Sequence, residues 1–132
     1  MGSALVWSIL LAQGEQFDAR LSTVPIDMRN RVEITGLGRA TAVLDGSELT
    51  VAGTYQGLQG PANAAYLHES LVTGVRGPAI LDLEVSGGIE GSISATLDLT
   101  PDLVVALRGG RLYIQIHSEA APDGNLWGWL LQ

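Results

Sequence analysis

A chain of 132 residues is the size of one ordinary domain, and it can bury a single core without a metal or a disulfide to hold it. Fourteen acids against seven arginines, with no lysine, set the formal charge at −7 and leave no basic footprint for a phosphate backbone, which excludes nucleic acid as a partner. No cysteine is present, so a disulfide framework, a thiolate nucleophile and a cysteine-held metal are excluded as well.

Ala4 to Ala12 (ALVWSILLA) is an uncharged apolar run that stops at the polar Gln13-Gly14-Glu15-Gln16. It is too short to be a transmembrane segment, which takes about twenty residues as a helix. Two readings stay open: the remnant of a secretory leader, although no basic n-region precedes it, or a working β-strand. The chain thus divides into an apolar N-terminal segment, residues 1–14, and a β domain over residues 15–132.

From Phe17 onward the pattern has a period of two. Phe17, Ala19 and Leu21 alternate with polar residues. Ala40, Ala42 and Leu44 share one face of a hairpin that turns at Asp45-Gly46-Ser47-Glu48 and resumes at Leu49, Val51 and Tyr55. Gly57 to Pro61 predicts a corner, Ala64 to His68 the next strand, and Thr73 to Pro78 a turn into a strand over Ala79 to Val85. Ser92 to Leu97 alternates hydroxyl side chains with Ile93, Ala95 and Leu97. Thr100 suits a helix N-cap, Pro101 the first helical position and Gly109 a left-handed stop, which predicts one short helix near 101–108. Beyond it Leu112, Ile114 and Ile116 face inward, Tyr113, Gln115 and His117 face outward, and Pro122-Asp123-Gly124-Asn125 turns into the last strand. Glycine-rich turns between short β-branched runs complete an all-β reading: an antiparallel two-sheet β-sandwich or barrel of Greek-key type.

Two stretches carry a family likeness: GLQGPANAAYLHES (Gly57 to Ser70) and GRLYIQIHSEAAPDGNLWGWLL (Gly110 to Leu131). With LDGSELTVAGTYQGL they resemble the CHRD (chordin-type) domain, whose pattern is roughly GL.GP..AAHIH followed by G.LYVNVHT....GGEIRGQL. The likeness runs from Phe17 through the last strand. It implies an extracellular or secreted β module, at the cell surface or in a periplasm, and it implies location and fold more firmly than activity. Tyr66-Leu67-His68 stands where the family carries HIH, and Asn125 to Leu130 (NLWGWL) where it carries EIRGQL. The main departures, Tyr66, Trp127 and Trp129, fall on the outward parity of their strands.

The two histidines, His68 and His117, lie on corresponding faces of two predicted strands, with Tyr66, Glu69, Tyr113 and Gln115 as polar company. If those strands are neighbours the imidazoles form a candidate copper or zinc pair, short of the three or four ligands a tight site wants. The alternative is a pair of hydrogen-bonded surface histidines. Asp82 and Glu84, with Glu90, Asp98 or Asp102, are a candidate calcium set without the spacing of a known calcium loop. No nucleophile elbow, HExxH or phosphate-cradling loop occurs, so no catalytic residue and no cofactor is assigned.

Trp127 and Trp129 project from the outward face of the terminal strand, where an indole pair reads as a contact surface unless a loop covers it. Together with Leu5, Val6, Trp7, Ile9, Leu10 and Leu11 they suggest an interface in which the N-terminal run adds as a β-strand to a neighbouring subunit, partly over its tryptophans. The expected protein is a non-catalytic secreted module for extracellular binding or self-assembly, a homo-oligomer or filament subunit or the binder of an extracellular protein. The alternative is a metal-binding domain using His68 and His117.

Overall fold

The computed structural model describes residues 14–26 and 33–132, so the interface run Leu5 to Leu11 lies outside the described residues. The elements are β1 (Glu15–Thr23), β2 (Leu37–Asp45), β3 (Glu48–Gln56), β4 (Ala62–Glu69), β5 (Ala79–Val85), β6 (Gly91–Asp98), α1 (Pro101–Arg108), β7 (Leu112–Ser118) and β8 (Leu126–Trp129). All strand pairs are antiparallel, in the spatial order β1-β2-β3-β6-β5-β4-β7-β8. Strands β3 to β6 and β4 to β7 therefore form two overlapping Greek keys.

Of the two-sheet sandwich and the barrel that the sequence leaves open, the structure has the closed barrel. The reason lies in two strands that serve both walls: β1 pairs with β2 and β8, and β5 pairs with β4 and β6. An eight-stranded barrel has an interior just wide enough to be filled by side chains. The period-two residues fill it: Phe17, Leu21, Ala42, Leu44, Leu49, Val51, Leu67, Ile93, Ile114, Ile116 and Leu126 are all essentially inaccessible. Closure between β1 and β8 needs glycine. A Cβ on Gly128 would lie 2.3 Å from the Arg20 carbonyl oxygen, so no side chain fits where the two strands cross.

Helix α1 links β6 to β7 and buries Ala106 and Leu107 in the core. Thr100 caps it as its sequence predicts, the side chain accepting from the Leu103 amide at 3.3 Å. The stop falls one residue later than expected. Gly109 keeps φ −83°, while Gly110 takes φ +71°. Amides of Gly110 and Arg111 donate to the Leu107 and Ala106 carbonyls, the paired bonds of a Schellman turn. The Arg108 guanidinium then reaches back to Glu15 at the start of β1 and holds that carboxyl below its ordinary range.

Candidate functional site

The outward faces of β4, β7 and β8 form one aromatic wall. Register sets Tyr66 opposite Gln115, His68 opposite Tyr113, Tyr113 opposite Trp129 and Gln115 opposite Trp127. The rings follow one another across the three strands. His117 and Tyr66 meet edge to face at 5.4 Å, His68 stacks on Tyr113 at 4.6 Å, and Tyr113 lies 4.5 Å from Trp129. Trp129 and Trp127 close the row at 4.8 Å. Such contacts favour rings offset or edge-on, and the His117–Tyr66 and Trp127–Trp129 pairs are edge-on.

Outward parity here does not mean exposure. Tyr113 is 1% exposed, Gln115 4% and His68 8%. The β4–β5 loop folds back over this wall and is fastened at several points. Thr73 Oγ1 donates to the Gly110 carbonyl at 2.6 Å, and the Arg76 guanidinium lies 5.0 Å above Trp127. At Gly77 the carbonyl accepts from Tyr113 Oη at 2.9 Å and His68 Nδ1 at 2.8 Å, while its amide donates to Tyr113 Oη at 3.0 Å. Only glycine fits, since a Cβ there would sit 1.8 Å from the Glu69 carbonyl oxygen.

A second cover comes from the β7–β8 turn. Asn125 is wholly buried, accepts from Ser118 Oγ at 2.8 Å and donates through Nδ2 to the Thr35 carbonyl at 2.8 Å. Val24, Ile34 and Ala121 pack together there, with Trp127 against them.

The structure brings His68 and His117 onto one face of neighbouring strands, but His117 pairs across to Ala64, so Tyr66 and Gln115 lie between them. Each imidazole donates through Nδ1 to a backbone carbonyl, Gly77 for His68 and Pro122 for His117 at 2.9 Å. This tautomer follows from the partners, because a carbonyl only accepts. His117 Nε2 then accepts from the Gln115 amide at 3.2 Å. His68 Nε2 and Gln115 Oε1 are buried with no hydrogen-bond partner among the described residues. Burial pushes the His68 pKa down, the His117 and Arg76 charges add to that, and the Gly77 carbonyl opposes it.

No group of three or more His, Asp or Glu side chains that could hold a metal converges among the described residues. Asp82 and Glu84 point outward from β5, both exposed. The two tryptophans are half-buried. Trp129 donates its indole N–H to Ser70 Oγ at 3.1 Å, and the outer sides of both rings line a 470 Å³ groove with Asp18, Arg20 and Ser22 of β1. The sequence pattern assigns no role to Ser70 or Gly77 and places Asn125 only in the turn before the last strand. Nothing local separates Gly77 from the other turn glycines, and its role exists only once β4 and β7 are adjacent.

The CHRD domain family model matches residues 17–130, nearly the whole domain, and the chain belongs to that family. The family is one of non-enzymatic modules and suggests an extracellular β-type module. No curated protein and no solved structure matches the chain. Among the described residues no helix is long and apolar enough to cross a membrane.

Proposed function

We infer that this protein is a non-catalytic secreted module whose work is extracellular binding or self-assembly, as a matrix or filament subunit, through addition of its N-terminal strand to a neighbouring copy. The observation that carries this reading is the apolar surface left open on the folded domain. Leu71 is 85% exposed and Val72 57% on the β4–β5 loop, Val105 64% on α1 and Leu131 46% after β8. Thr73 bonds Gly110, and Leu131 packs against the same glycine, so the loop, the helix end and the C-terminal residues share one rim of the barrel. Exposed apolar groups gathered in this way mark interaction surfaces. The test is light scattering with negative-stain microscopy on the full chain and on a chain starting at Gly14, at matched concentration with chelator present. Large ordered assemblies from the full chain alone are expected, and monomers from both would sink the reading.

A second reading is favoured by one feature. Both imidazoles anchor Nδ1 to a carbonyl, as metal-ligating histidines do, and His68 Nε2 has no partner among the described residues, while the Gln115 amide holds His117 Nε2. Copper or zinc would be the metal. Titration of wild type against His68→Ala decides it: saturable binding lost in the variant supports the site, and identical curves remove it.

A further inference from the structure

The barrel wall is thinly paired between β5 and β6. Strand β6 pairs with β3 over eight positions, from Glu48↔Asp98 to Tyr55↔Gly91, but with β5 over only two, Glu84↔Ser94 and Val85↔Ile93. Beyond these, the facing backbone edges of Ala79 to Leu83 and Ala95 to Asp98 have no ladder partner among the described residues. Inward side chains lose their cover in step. On β6, Ile93 is 1% exposed while Ala95 and Leu97 are half-buried. On β5, Leu83 is 7% exposed while Leu81 is half-buried. Outside, a 590 Å³ groove runs over β6 from Ser94 to Leu97, walled by Asp82 and Glu84 of β5 on the seam side and by Thr50 to Ala52 of β3 on the other.

We propose that this seam accepts a β-strand and that its occupant is Ala4 to Ala12 of a second copy of the chain, a step that rests on the self-assembly reading above. Two unpaired edges facing each other offer donors and acceptors to both sides of an inserted strand, and alternate side chains of that strand find pockets. The run has the matching pattern. Leu5, Trp7, Ile9 and Leu11 share one parity and would cover Leu81, Ala95 and Leu97, while Val6, Ser8 and Leu10 would face the groove. It carries no charge, so Asp82 and Glu84 on the groove wall do not repel it.

Reach selects a second copy over the chain's own seam. Glu15 pairs with Leu44 at the rim where β2 turns into β3 and where β6 ends opposite Glu48. From β1 to β6 is three strand spacings, about 14 Å at about 4.8 Å each. Gln13 and Gly14 together span about 7 Å when extended. To fill its own seam the chain would have to lay its last apolar residues across the polar rim of Asp45 and Glu48.

Cysteine pairs test this directly, because the chain has none of its own. Full chains carrying Ser8→Cys are mixed, under mild oxidation, with full chains carrying Thr96→Cys or Asp82→Cys at the seam, or Ser22→Cys beside the indole groove. A shift to twice the chain mass with either seam variant and not with Ser22→Cys is expected. Assemblies in the microscope that cross-link at Ser22→Cys, or at neither seam position, overturn the seam as acceptor and leave the self-assembly reading standing. A disulfide closed at monomer mass in a chain carrying both Ser8→Cys and Thr96→Cys overturns the second copy as occupant. Full chains that do not assemble at all overturn the function proposed above and this inference with it.

Discussion

His68 and Tyr113 stack with ring centres 4.6 Å apart and donate to the same carbonyl, that of Gly77. One backbone peptide thereby ties β4 and β7 to the loop that covers them. The aromatic wall owes its order to this lock, since the loop between Ser70 and Gly77 otherwise exposes every side chain from Leu71 to Arg76.

Gly77→Ala should break the lock. A methyl group 1.8 Å from the Glu69 carbonyl oxygen forces the backbone to move, and both bonds to the Gly77 carbonyl move with it. Forced overpacking of this kind costs about 1–3 kcal/mol. Urea denaturation should show the loss, together with a changed tryptophan emission, and an unchanged midpoint would refute the assignment.

Stability should fall as the medium is acidified below the ordinary histidine range. Burial depresses the folded-state pKa of His68, so the unfolded chain takes up the proton first. The sign follows: stability is intact above the unfolded value of about 6.5 and is lost as pH drops from there through the folded value. Thermal melts from pH 8 to pH 5 on wild type and His68→Gln measure it. The variant should show the shallower slope, and equal slopes would assign the effect elsewhere.

Removing the Asn125 side chain leaves the Thr35 carbonyl and Ser118 hydroxyl without their partner in a buried setting. Leaving buried polar groups unmatched costs about 1–3 kcal/mol each. Asn125→Ala should therefore destabilise the domain by about 2–6 kcal/mol and loosen the β1–β2 connection, read as faster amide exchange at Val24, whose N–H donates to the Asn125 carbonyl at 3.1 Å. Retained protection would show that Asn125 does not hold the two loops together.

Arg76→Ala takes the cation from above Trp127 and opens that indole to water. The expected cost is small, about 0.5–1 kcal/mol. The clearer readout is a red shift of tryptophan emission with the melting profile nearly unchanged. Emission identical to wild type would mean the guanidinium does not cover the ring in solution.

Much of the fold was legible residue by residue. Each strand with a dry face announced it, from Phe17, Ala19 and Leu21 to Leu112, Ile114 and Ile116, because burial of one side of a strand leaves a period of two in the chain. The helix was legible too, through Thr100 and Pro101, but its left-handed stop belongs to Gly110 rather than Gly109. Between adjacent glycines nothing local decides which one takes positive φ. At the aromatic wall the side chains were legible, His68, His117, Trp127 and Trp129 with Tyr66, Tyr113 and Gln115 as company, while the loops that cover them were not. Outward parity suggested solvent, whereas the loops around Gly77 and Asn125 cover the wall.

Sequence alone thus determined the all-β alternation, the short helix and the CHRD family, all of which are written in near neighbours and in motif order. Tertiary structure decided the rest: closure through β1 and β5, the two-position seam between β5 and β6, and the packing of Tyr113 under Gly77. Lateral pairing joins residues far apart in the chain, such as Ala65 with Ile116, and a strand's own alternation says which face is dry without saying which strand lies beside it.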